Sequence, residues 1–143
     1  MGKGNILVLS SEILKSIDLY LEEIYEMDKK VKPEKNIAKI MVDLKLKTTQ
    51  VRSLQTLANS ASRFSEIINH IKNQAGKDNN NQWIIVGPLL LNKLDLLEKK
   101  ARNIAGNRPA EKLEVKLRLA RKWIKQVVVN YLYLKNLEND NKK

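Results

Sequence analysis

Apolar residues recur every three or four positions along almost the whole of this 143-residue chain, a spacing that places them on one face of successive helices. No stretch shows the strict alternation of a half-buried strand. Ile13, Leu14, Ile17, Tyr20, Leu21, Ile24 and Met27 form the first stripe, with Ser10 or Ser11 as N-cap and Lys29 and Lys30 at the dipole-favoured end. Pro33 suits the first turn of a shorter helix through Ile37, Ile40, Met41 and Leu44.

A third helix is expected to start at Thr48 or Thr49, either of which can cap it, and to align Val51, Leu54, Leu57, Ala58, Ala61, Ile68 and Ile71. The run AGKDNNNQ, residues 75–82, is a loop by composition, because glycine and asparagine favour turn conformations. WIIVGP then reads as a short buried turn or strand before Pro88 opens a fourth helix lined by Leu90, Leu94, Leu97, Ala101 and Ile104. Gly106 stops it. The last helix begins near Pro109 and runs to about Leu137, its stripe being Leu113, Leu117, Ala120, Ile124, Val127, Val128 and Tyr131. The expected fold is all-α: a compact bundle of about five helices with a long basic C-terminal helix. One helical domain spans residues 1–143, with frayed ends near 1–9 and 139–143.

Charge says more about partners. The formal net charge is +11, from 27 Lys and Arg against 16 Asp and Glu, and the sequence pI is about 9.8, a balance that attracts polyanions. Most of the excess lies beyond residue 90; between Lys99 and Lys125 the only acids are Glu111 and Glu114. On the last helix Arg118, Arg121, Lys122 and Lys125 fall beside the apolar seam, a ridge suited to tracking phosphates. Arg52, Thr56, Asn59 and Arg63 make a second polar stripe at steps of four, three and four.

Several chemistries lack their residues. With no cysteine there is neither a thiolate nucleophile nor a cysteine zinc site, and His70 alone cannot supply an imidazole set. The acids are scattered among lysines rather than paired in apolar surroundings, and no glycine loop follows a strand to cradle phosphate. We therefore expect no enzyme, no metal and no cofactor. One Phe, two Trp and four Tyr leave few aromatics for base stacking, so nucleic acid would be held mainly by its backbone. The longest apolar run, Trp83 to Leu91, is well short of the roughly 20 residues that cross a bilayer, and a cytoplasmic protein is expected. A rival reading is a helical adaptor whose basic ridge binds an acidic protein partner; another is a homodimeric scaffold.

Three short segments carry a resemblance. Leu46-Lys47-Thr48-Thr49-Gln50-Val51-Arg52 resembles, without a gap, the Leu-Thr-Thr-Ser-x-Ile-Arg signature of the small helical subunit of type III-A (Csm-type) CRISPR effector complexes. Leu97 followed by Ala105-Gly106 is similar to that family's helix ending in Ala-Gly-Arg, and Tyr131-Leu132-Tyr133-Leu134-Lys135 to its Val-Ala-Tyr-x-Lys segment. Lys47 replaces the first threonine, Asn107 the arginine and Val128 an acidic residue, and the stretch around AGKDNNNQWIIVG looks like an insertion. These motifs do not separate the family from the small subunits of type III-B or type I complexes.

The resemblance implies a non-catalytic subunit present in several copies. Its partners would be guide RNA and target RNA, other effector subunits and neighbouring copies of itself, with no membrane. The implied RNA contacts are Lys47, Thr49, Arg52, Asn59 and Arg63 on the third helix, Arg102 and Arg108 at the Ala-Gly corner, and Arg118, Arg121, Lys122 and Lys125 on the last helix. Recognition of sequence by guide pairing would leave this subunit no need for base-reading groups.

Overall fold

The computed structural model describes residues 8–77 and 81–141, which form α-helices and no strand. They are α1 (Ser11–Lys30), α2 (Ile37–Asp43), α3 (Thr48–Ser60), α4 (Phe64–Gly76), α5 (Gln82–Ala105) and α6 (Pro109–Asn141). Six helices replace the expected five because the third splits. The all-α bundle with a long C-terminal helix stands.

Local chemistry sets the starts. Ser10 caps α1, its Oγ accepting the Ile13 N–H at 3.2 Å. Pro33 begins only a 3-10 turn, Pro33–Lys35, and the helix proper waits for Asn36, whose Oδ1 accepts the Lys39 N–H at 3.0 Å. Between α2 and α3, Lys45 adopts a left-handed backbone with φ of 62°. The Gln82 side chain steadies that turn by donating to the carbonyls of Leu44 and Lys45 at 2.7 and 3.1 Å.

The break between α3 and α4 interrupts an unbroken apolar period. Ala61 and Arg63 are extended, and Glu66 reaches back to accept the N–H groups of Ser62 and Arg63 at 3.0 and 2.9 Å. These backbone bonds, more than any other cause, hold the Glu66 carboxyl below its ordinary range. Beyond the break the core side of α4 is Phe64, Ile67 and Ile71, with Ile68 only partly buried.

A second correction concerns Pro88, which lies inside α5 rather than opening it. Proline removes one helical N–H, yet Trp83, Val86 and Leu90 on the same helix are completely enclosed, and that packing outweighs the missing bond. α4 packs directly against this turn of α5: a Cβ at Gly87 would meet Ala75 and Ile71 at 3.7 Å, an ordinary van der Waals contact. Of the expected loop, residues 78–80 lie outside the described residues. So do 1–7 and 142–143 of the expected frayed ends; Leu9 is buried and α6 stays helical to Asn141.

α6, about 50 Å long at 1.5 Å per residue, is the axis of the core and contacts all five other helices. It buries Val115, Leu119, Ala120, Trp123, Ile124, Val128 and Tyr131 within one continuous apolar cluster. No polar or charged residue is fully buried among the described residues, so the charges of α6 lie on its flanks and outer face.

Candidate nucleic-acid interface

The segment LKTTQVR is fastened to α6. Leu46 is buried, and its carbonyl accepts the Tyr131 hydroxyl at 2.6 Å. Lys135 donates to Thr48 Oγ1 at 2.7 Å and to the Tyr131 hydroxyl at 3.2 Å. Two segments that resemble family motifs, more than eighty residues apart, are thus joined by hydrogen bonds. Neither threonine caps α3, contrary to expectation. Lys47 occupies the cap position, and Gln50 Oε1 accepts its N–H at 3.4 Å.

The other end of α3 is held by Arg121. Helix ends leave carbonyls without intrahelical donors and carry negative partial charge. Because the Ser62 N–H is taken by Glu66, the Ala58 carbonyl lacks its regular helical donor. Arg121 supplies one, donating from Nε to Ala58 at 3.1 Å and from Nη2 to Ala61 at 2.7 Å. A side chain that the sequence placed on an RNA-facing ridge is a clamp between helices.

The rest of that ridge is divided. Arg118 pairs with Glu114 at 2.9 Å, and Lys122 reaches across to Asp18 of α1 at 3.5 Å. At the α5–α6 corner Arg108 pairs with Glu111 at 2.7 Å. Lys47, Arg52, Arg63, Arg102 and Lys125 are exposed and form no ion pair among the described residues. Thr49 and Asn59 are exposed on α3 beside Arg52 and Arg63 in the chain. The structure therefore presents Arg52 and Asn59 as free surface on a helix tied down at both ends, whereas Arg63, expected on the same helical stripe, falls in the break and is the N-cap residue of α4. Gly106, with φ of 71°, ends α5 behind Arg102 as its composition suggested.

Sequence reasoning missed Lys135, Thr48 and Tyr131 as one polar unit. The available signal was a lone lysine in the apolar run YLYLK, since a cation amid apolar residues needs oxygen partners. It also missed Lys116, which lies over the Phe64 ring at 5.0 Å and pairs with Glu98 at 2.9 Å. No group of three or more His, Cys, Asp or Glu side chains is clustered as metal ligands among the described residues. No described helix is long and apolar enough to cross a membrane.

Comparison with protein-family models, with curated proteins and with solved structures finds no match to this chain. What the fold and surface define is a helical bundle organised around α6, with a partly neutralised basic face.

Proposed function

We propose that the chain is a non-catalytic RNA-binding structural subunit of a type III CRISPR ribonucleoprotein, contacting the backbone of guide and target RNA. The observation that carries this reading is α3. It is anchored at Leu46 and Thr48 by Tyr131 and Lys135, and at Ala58 and Ala61 by Arg121, while Arg52 on α3 makes no ion pair and Arg63 stands exposed just beyond it, at the N-cap of α4. Rigidly mounted free guanidiniums suit phosphate oxygens, which accept paired N–H donors from one arginine. Arg102 adds a further free cation, and the net charge of +11 draws the polyanion in. Lys47, Thr49 and Asn59 remain candidate contacts in this reading, as do the paired Arg108, Arg118 and Lys122. Arg121 is withdrawn from it.

The test is recovery of the tagged protein from its native cells, with sequencing of bound RNA and mass spectrometry of bound protein. Short guide RNAs with repeat-derived ends, inside a multi-subunit particle, are expected. The Arg52→Ala/Arg63→Ala/Arg102→Ala variant should melt like the parent. With purified protein it should lower the slope of log affinity against log salt by about 2 to 3. Recovery of one acidic protein without RNA would replace this reading by the adaptor.

A further inference from the structure

Along its opposite flank α6 leaves a groove of about 600 Å³ against α1. Ile24 of α1 and Trp123 of α6, both buried, line its floor. Its two walls carry matched stripes. The exposed lining residues are Asp18, Glu22 and Tyr25 on α1, and Lys122, Lys125 and Val129 on α6. Steps of three and four keep each set on one helix face. In chain order both stripes are two charges followed by one apolar side chain, and the charges are opposite in sign.

The two stripes also lie level. Lys122 Nζ is 3.5 Å from Asp18, and farther along Asp28 lines a smaller pocket with Val127 and Asn130, so α1 and α6 run in the same direction. A two-fold axis along the groove preserves that level and turns a second copy face down. Its α6 then covers the first copy's α1, with Lys122 over Asp18, Lys125 over Glu22 and Val129 over Tyr25, and the same set forms again on the other wall. An axis across the groove would instead set acid on acid and lysine on lysine, which like-charge repulsion opposes. Any other occupant would have to bring a basic and an acidic stripe in this order, whereas the chain itself carries both.

Little is given up in such a contact. Glu22 and Lys125 form no ion pair among the described residues, and Tyr25 and Val129 are 38% and 48% exposed. The pair of Asp18 with Lys122 is itself largely exposed, so exchanging it for the same pair between copies costs little.

We infer that this face closes a two-fold homodimer in which α1 of each copy lies against α6 of the other, pointing the same way. The inference does not rest on the RNA reading; of the expected RNA contacts it engages only Lys122 and Lys125, not those of α3 or the α5–α6 corner.

Sedimentation of nuclease-treated full-length protein tests it, since RNA can then bridge no copies. The parent should show a monomer–dimer equilibrium. Glu22→Lys and Lys125→Glu each set like charges together on both walls, and each should weaken the dimer at least about tenfold. Mixed in equal amounts, the two variants should dimerise with each other about as tightly as the parent, because the reversals restore opposite signs on both walls; that rescue also shows that both are folded. The chain has no cysteine of its own. Differently tagged Glu22→Cys and Lys125→Cys copies should therefore be joined by a short bismaleimide to each other more than either to itself. A monomeric parent, which would leave the groove to a different protein, would overturn the inference. So would charge reversals without effect, no gain on mixing, or Glu22→Cys joined chiefly to itself.

Discussion

The two flanks of α6 use charge in opposite ways. Toward α3, each polar group satisfies an atom that the fold would otherwise strand: Tyr131 serves the Leu46 carbonyl, Lys135 the Thr48 hydroxyl, and Arg121 two carbonyls at a helix end. Toward α1, Lys122 and Asp18 meet only at the rim of an open groove, 3.5 Å apart and both largely exposed. A surface pair of that kind contributes little, because water screens it and long side chains lose freedom to form it. The same helix is therefore structural on one side and available on the other, and counting its lysines and arginines does not say which is which.

The sharpest way to break this contrast lies within YLYLK. Tyr131 is completely buried, whereas Tyr133 is 63% exposed, although both read as tyrosines of one motif. Tyr131→Ala should cost about 3–5 kcal/mol in urea unfolding, the range for deleting a buried aromatic ring. Tyr133→Ala should stay within about 0.5 kcal/mol of the parent. Equal losses would mean that the seam toward α3 is no more structural than the outer face.

Arg121 gives the next largest effect. Arg121→Ala strips the donors from the Ala58 and Ala61 carbonyls and should lower stability by about 1–3 kcal/mol, the cost of leaving such groups unsatisfied. Lys125→Ala, four residues on and exposed, should change stability by less than about 0.5 kcal/mol. The same pair then serves as a control for RNA binding. A loss of affinity in Arg121→Ala that tracks its loss of folded protein supports the clamp. A loss of affinity at full stability would return Arg121 to the interface.

Much of the apolar period and the cap of α1 were legible because they are local, whereas the expected threonine cap of α3 was not formed. Ser10, the stripe of α1 as far as Ile24 and the stop at Gly106 follow from spacing and from the chemistry of neighbouring residues, while Met27, expected on that stripe, stands 61% exposed near the end of the helix. The break at 61–63 was not legible, since Ala61, Phe64 and Ile71 keep a helical period while Glu66 makes the interruption by bonding backward. Pro88 misled for the opposite reason: a local rule lost to the burial of Trp83, Val86 and Leu90, which only tertiary packing provides. At the candidate site Arg52 sits exposed on α3 where the spacing put it, but Arg63 leaves that stripe at the break; Glu114 gives Arg118 a local partner four residues away, whereas Leu117 and Lys125 stand at that spacing from Arg121. The fate of Arg121 depends on which helix lies opposite, and that information resides some sixty residues upstream.

The smallest effect probes a polar atom that neither flank accommodates. His70 of α4 has a buried Nε2 with no hydrogen-bond partner. Burial, and secondarily the charge of Lys77, holds its pKa below the ordinary 6.5. An unfolded chain then takes up the proton at a higher pH than the folded one, so the contribution of His70 is fully present above pH 6.5 and declines as pH falls through the folded-state value. The melting temperature should drift down on acidification from about pH 7 to about pH 5.5, with His70 as the sole histidine in the chain. His70→Gln should flatten that drift, whereas Arg121→Ala should lower the whole curve without changing its slope. A slope that survives in His70→Gln would place the acid sensitivity elsewhere and remove the distinction between a stranded imidazole and the matched polar groups of the α3 seam.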